Sequence, residues 1–277
     1  MSDPLLLSGC VVLIYVTIAW TISAAMSRAD IVDPFWGPGF LVIVTAVAWH
    51  QSQTTPPTSG QPSPVNAAST VFLWTTGIWG MRLGIHLFVR WLKEPHEDRR
   101  YAAMRAAGTK RWWLRSLFTV FWLQGLIMWI VSLPLQLAIL SSTNRSPILL
   151  PIGLCLFAAG LFFEAVGDWQ LTKFRNHPES HGKVMNTGLW RYTRHPNYFG
   201  DFAAWWGLFT ISLYFGSPFW TVVSPLIMSA FLMKYSGVGM LEKDINSRRP
   251  GYAEYCQQTN TFWPWLPKKT GPNHGNR

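Results

Sequence analysis

Apolar residues in this chain gather into runs close to twenty residues long, divided by shorter polar segments. A helix crossing the hydrocarbon core of a bilayer needs roughly 20 apolar residues. The pattern therefore predicts an all-α polytopic membrane protein with seven transmembrane helices, at about 4–26, 31–50, 70–92, 113–140, 148–167, 199–215 and 218–240. The first run lacks a basic flank and a small-residue cleavage site, so it reads as a retained span and not a signal peptide. Residues 51–69, rich in Gln, Thr, Ser and Pro, read as a flexible polar connector. Residues 1–267 are expected to form one membrane domain, its 1–140 half facing a lipid substrate and its 141–267 half a cofactor. Residues 268–277 are expected to form a disordered tail.

Charge adds an orientation. The net charge is +10, yet charged residues make up only 13% of the chain and hydrophobic ones 49%. The cations cluster in alternate connections. Residues 93–115 hold Lys93, Arg99, Arg100, Arg105, Lys110, Arg111 and Arg115, whereas 51–69 and 216–218 hold none. By the positive-inside rule this places the N-terminus outside and the C-terminus in the cytoplasm. It also argues against a nucleic-acid partner, because the basic residues follow the membrane. Trp20, Trp49, Trp74, Trp112 and Trp113 fall near predicted span ends, as interfacial anchors do. Cys10, Cys155 and Cys256 are scattered without metal-ligand or CxxC spacing, so neither a metal site nor a disulfide framework is expected.

The densest chemistry lies in N-T-G-L-W-R-Y-T-R-H-P-N-Y-F-G-D, residues 186–201. It sets Arg191, Arg194 and His195 beside Asn186, Trp190, Tyr192, Asn197, Tyr198 and Asp201. Guanidinium forks suit phosphate oxygens, and the tyrosines and Asp201 suit a ribose or a heterocycle. A juxtamembrane basic loop on lipid head groups is the plain alternative. Ionisable residues inside spans are a second source of candidates. Arg82, His86 and Arg90 recur every fourth residue on one helix face; a polar cavity or an ion-pair ladder would each explain them. Asp33 opens the second span in D-P-F-W-G-P-G, where broken helix starts line cavities. Walled by Phe35 and Trp36, it could be a protonated carboxyl that donates to a substrate carbonyl, or a helix N-cap. Glu97, Asp98, Arg99, Arg100 and Tyr101 form a mixed-charge segment that also fits a solvated amphipathic helix. No G-x-G-x-x-G, Walker lysine, HExxH or G-x-S-x-G occurs.

The stretch G-L-W-R-Y-T-R-H-P-N-Y-F-G-D resembles the signature of the steroid 5-alpha-reductase superfamily, in its bacterial membrane branch. The pattern also resembles sterol reductases and isoprenylcysteine carboxyl methyltransferases. The resemblance implies NADPH-dependent reduction of the C4–C5 double bond of a 3-oxo-4-ene steroid or a related enone lipid. It implies dinucleotide contacts from Asp168 and Arg175, which keep the family's spacing. Glu242, Arg249, Tyr252 and Tyr255 are carried over from its C-terminal segment. Asp98, Arg100 and Tyr101 join the 186–201 residues as candidate cofactor contacts. Asp33 answers the family's carbonyl-binding Glu, with His86 and Arg90 as helpers, but Leu87 stands where a Tyr is expected. The expected location is a bacterial inner membrane, with the cofactor site facing the cytoplasm. The expected partners are a hydrophobic small molecule and membrane lipids, with no metal and no oligomer implied. Two alternatives stay open: an S-adenosylmethionine-dependent membrane methyltransferase and a non-enzymatic lipid-binding protein.

Overall fold

A computed structural model of the chain describes residues 3–54, 64–107, 111–141, 143–180, 182–235 and 250–268. Among these residues the fold is all-helical, with no strand. Four helical stretches are long and apolar enough to cross a membrane: Pro4–Met26, Ala29–Thr54, Trp112–Val131 and Leu149–Arg175. Helices also form where the third and sixth spans were expected, as Pro64–Lys93 and Pro196–Tyr214. The expected seventh corresponds to a shorter apolar stretch, Phe219–Met233. The expected fourth is interrupted at Ser132, because Pro134 cannot continue the hydrogen-bond ladder behind it.

The chain divides into two compact units, Met1–Pro147 with Ser212–Ser224, and Ile148–Ile211 with Pro225–Arg277. Residues 212–224 return to the first unit. Hydrogen bonds explain that return: Arg145 N donates to the Tyr214 carbonyl at 2.8 Å, and Ser224 Oγ donates to the Val131 carbonyl.

In the first unit α1 (Pro4–Met26) starts on Asp3, whose side chain accepts from Leu5 N, with Pro4 at the first helical position. It ends at Ser27, which takes a left-handed conformation (φ 55°) and turns the chain toward α2 (Val32–Thr54). Helix α3 (Pro64–Lys93) lies against α2 with the backbones in contact at Gly37 and Gly80. A Cβ on either residue would collide with the other's carbonyl oxygen, so only glycine permits the approach. Phe40 and Trp79 close over the crossing with ring centroids 5.7 Å apart. The short α4 (Arg99–Ala106) follows. Then α5 (Trp112–Ser116), a π-helical turn (Leu117–Trp122) and α6 (Leu123–Val131) run as one rod into α7 (Leu133–Leu140). Buried Ser8 donates to Gln136 Oε1 at 2.6 Å, and Gln136 donates to Ser132 Oγ at 2.8 Å. Such bonds satisfy polar groups that an apolar interior would otherwise penalise.

In the second unit α8 (Leu149–Arg175) presents Gly153, Gly160 and Gly167, seven residues apart and so on one face, to α9 (Pro196–Tyr214). A Cβ at Gly160 would lie 2.8 Å from the Ala204 Cα. Helix α10 (Val223–Ala230) joins α9 through Trp206 Nε1 donating to Ser229 Oγ at 3.2 Å. The last described helix, α11 (Tyr252–Gln258), follows a left-handed Gly251.

Candidate functional site

Two polar clusters carry the candidate residues, one in each unit. The first is built on the α1–α2 turn. Asp30 is buried and takes four donors: Arg28 Nε (3.1 Å) and Nη2 (2.9 Å), Trp91 Nε1 (3.0 Å) and Asp98 N (3.0 Å). Glu97 repeats the theme, accepting from Ala29 N at 2.6 Å and from Arg105 at 2.8 and 3.0 Å. These bonds lash the start of α2 to the α3–α4 connection. Asp98 then caps α4 by accepting from Arg100 N at 2.9 Å. Burial opposes ionisation of Asp98, but the hydrogen bonds and charge of Arg100 hold its carboxyl below the usual carboxylate range.

Capping fixes the first turn of α4 so that Arg100 and Tyr101 both reach Asp33. Arg100 Nη2 donates to Asp33 Oδ2 at 2.9 Å, and the Tyr101 hydroxyl donates to Oδ1 at 2.7 Å. Gln124 Nε2, from α6, donates to the Tyr101 oxygen at 3.3 Å. Burial, and after it the adjoining Asp33 carboxylate, push the Tyr101 phenol well above its ordinary value. Tyr101 therefore keeps its proton at neutral pH.

Both Asp33 oxygens accept hydrogen bonds, one from the Arg100 guanidinium and one from the Tyr101 hydroxyl. Of the expected trio of Asp33, His86 and Arg90, Asp33 hydrogen-bonds Arg100 and Tyr101, and Arg90 reaches Asp33 through its charge. At about 100° per residue, Arg82, His86 and Arg90 lie roughly 200–280° round α3 from Gly80, which touches α2. Arg82 and His86 are half-buried; Arg90 is exposed and acts on Asp98 only through its charge. Arg100 and Tyr101, expected beside the cofactor, hydrogen-bond Asp33. Asp98 joins them through Arg100.

The second cluster joins the 186–201 stretch to α8. Asn197 Nδ2 donates to the buried Asp168 Oδ1 at 3.0 Å, while Asn197 Oδ1 accepts from Tyr198 N at 3.1 Å. Trp190 Nε1 donates to the Gly167 carbonyl and Leu189 N to Gln170 Oε1, each at 3.0 Å. His195 is buried and stacks on Tyr198, ring centroids 5.6 Å apart and nearly parallel. Arg194, expected to grip a phosphate, is buried and bonded within the protein. Its Nη1 donates to the carbonyls of Cys256 and Thr259 at 3.0 Å, and its Nη2 donates to Thr261 Oγ1 at 2.7 Å. Through these bonds the buried guanidinium straps the 256–261 segment to this loop. Tyr255, whose hydroxyl donates to the Trp190 carbonyl, and buried Tyr252 complete that strap. Trp190 and Tyr255, expected beside the cofactor, thus also hold the loop in place.

Exposed around this scaffold are Arg175, Asn186, Arg191 and Tyr192; Asp201 is half-buried. Glu242 and Arg249 lie outside the described residues. Sequence reasoning missed Gln124, the Glu97–Arg105 pair and the glycines of α8. Only the glycines carried a readable signal, their seven-residue spacing. No group of three or more His, Cys, Asp or Glu that could hold a metal occurs among the described residues.

The fold is that of an all-helical protein with several helices long and apolar enough to span a membrane, consistent with an integral membrane protein. Residues 19–259 match the family described as "Protein of unknown function (DUF1295)", and the chain belongs to that family. Comparisons with curated proteins and with solved structures gave no match.

Proposed function

We propose that the protein is a seven-span membrane reductase, N-terminus outside and C-terminus cytoplasmic, acting on the activated double bond of a 3-oxo-4-ene steroid or a related enone lipid. The observation that carries this reading is the Asp33–Tyr101–Arg100 cluster. A buried phenol that keeps its proton, held by a carboxylate and backed by a guanidinium, is suited to an oxygen on which negative charge develops. Tyr101 also supplies, from α4, the phenol that Leu87 does not supply from α3. The family is associated with steroid 5-alpha-reductase-like proteins, which supports the same class.

NADPH, when bound, would supply the hydride. The donor set around the second cluster fits a dinucleotide: exposed Arg175 and Arg191 suit phosphate oxygens, and Asn186 and Tyr192 offer further hydrogen bonds. In this reading the chain's own part is electrostatic. A carbonyl oxygen arriving at Tyr101 competes with Asp33 for the phenolic proton. As charge builds on that oxygen the Tyr101 O–H turns its hydrogen bond toward it, while Arg100 continues to neutralise Asp33 and Gln124 steadies the phenolic oxygen. A proton from water reaching the alpha carbon would complete the saturated ketone.

A second reading is favoured by one finding. Arg194 is taken up by carbonyls, which removes a phosphate ligand and narrows the margin over an S-adenosylmethionine-dependent methyltransferase, whose cofactor bears no phosphate. Thermal unfolding of the purified protein separates the two. Stabilisation by NADPH and not by S-adenosylmethionine is expected; stabilisation by the methyl donor alone would overturn the reductase.

A further inference from the structure

The C-terminal end of α8 carries a feature that the reductase reading does not use. A shallow pocket of about 330 Å³ is lined by Trp169, Thr172, Lys173, Asn176 and His177. Helical spacing puts Trp169, Lys173 and Asn176 on the face of α8 opposite Gly160 and Gly167, which pack on α9. Asp168 and Arg175 lie about 100° round the helix from Trp169 and Asn176, with Thr172 at the edge between the two faces.

Its polar groups are uncommitted. Lys173 Nζ stands 5.5 Å from the centroid of the Trp169 ring and pairs with no carboxylate among the described residues. By contrast, Arg28, Arg100 and Arg105 are all ion-paired. Thr17, Thr75, Thr119 and Thr210 each bond the carbonyl four residues back, but the Thr172 hydroxyl makes no such bond. Thr172, Asn176 and His177 side chains face the pocket with their donors open.

Depth identifies the occupant. With 27 residues α8 is about 40 Å long, while the hydrocarbon core measures about 30 Å. The last turns of α8 therefore reach the head-group layer. Trp169, 60% exposed, sits at the depth where tryptophan anchors collect. Lys173, Asn176 and His177 stand just beyond it, and the outward face below them is apolar, with Phe162 55% exposed. The carbonyl end of a helix repels anions, so Lys173 must outweigh that dipole.

We propose that this pocket is a binding site for the head-group phosphate of one anionic phospholipid. The Lys173 ammonium and His177 meet the phosphate, Thr172 and Asn176 bond its glycerol or ester oxygens, and the acyl chains run down the apolar face of α8.

The test uses the full chain purified in a neutral detergent and titrated with dioleoyl phosphatidylglycerol, bound lipid being counted by native mass spectrometry. The native chain should bind phosphatidylglycerol several-fold more tightly than phosphatidylcholine, and inorganic phosphate at equal concentration should not displace it. Lys173→Gln should weaken phosphatidylglycerol about fivefold and phosphatidylcholine by less, because the choline ammonium already offsets the phosphate charge. Lys173→Arg should bind as the native chain does. Equal binding of the two lipids by the native chain, or undiminished phosphatidylglycerol binding by Lys173→Gln, would overturn the proposal. Displacement by inorganic phosphate would reduce the site to a free-anion site, and displacement by NADPH would return it to the cofactor; either result defeats the lipid assignment. The first comparison needs no variant, so a misfolded mutant would not leave the question open.

Discussion

Replacing Tyr101 by Phe removes one oxygen and leaves the ring, so it isolates the bond on which the catalytic reading depends. Two costs follow from the structure, and they differ in size. The first is structural. Asp33 Oδ1 loses its 2.7 Å donor, but Oδ2 keeps Arg100 at 2.9 Å. The Asp33 side chain keeps its charged partner Arg100, so its carboxylate is not left unpaired. A single hydrogen bond under those conditions contributes about 1 kcal/mol to folding. The second cost is catalytic: removing one donor from a developing oxyanion lowers kcat by about 10²–10³-fold. Rates of NADPH oxidation with an enone substrate and unfolding of the same preparation in detergent measure the two separately. The expected result is a kcat at least a hundredfold lower, in a protein that unfolds only slightly earlier and is still stabilised by NADPH. A Tyr101→Phe protein with native kcat would refute the assignment. Loss of kcat in step with collapse of the fold would show that the hydroxyl is only structural.

Other perturbations test other parts of the account. Arg194→Ala leaves the Cys256 and Thr259 carbonyls without their donor. It should destabilise the protein by about 3 kcal/mol or more and expose 250–268 to limited proteolysis, while a phosphate-binding role would lower NADPH affinity without that exposure. Gly160→Val drives a side chain into the α9 backbone at Gly200 and Ala204; thermal unfolding should reveal a loss of about 2–3 kcal/mol. Asp98 has a folded-state pKa below its unfolded one, so its contribution is complete above the unfolded value of about 4 and fades as pH falls through the folded value. Chemical unfolding of Asp98→Asn across that acid range should give a flatter stability–pH curve than the native chain.

How legible this was from sequence varied with the kind of feature. The first helix was expected at 4–26 and runs from Pro4 to Met26, because a continuous apolar run with Asp-Pro at its head leaves little choice. The break at Ser132 could have been read from Pro134, but hydropathy alone carries the run past it. Asp33 was singled out as a polar residue at a helix start, and it stands in the first turn of α2. Its partners stand 67 and 68 residues away, and no local pattern discloses such pairings. The same limit affected Arg194: its residue type announces five donors, yet only the folded chain shows that backbone carbonyls reach them first. Asp168 and Asn197, drawn from two helices, are brought together at 3.0 Å by the glycine seam of α8.

The central claim is that this membrane protein reduces an enone lipid at the expense of NADPH. It is tested most directly by incubating the detergent-purified chain with NADPH and a progesterone-like 3-oxo-4-ene steroid, beside a methyl-transfer control with S-adenosylmethionine. The account predicts loss of NADPH absorbance matched one for one by saturated ketone, with no methylated product. Unchanged NADPH across a panel of enones, together with methyl transfer in the control, would contradict it.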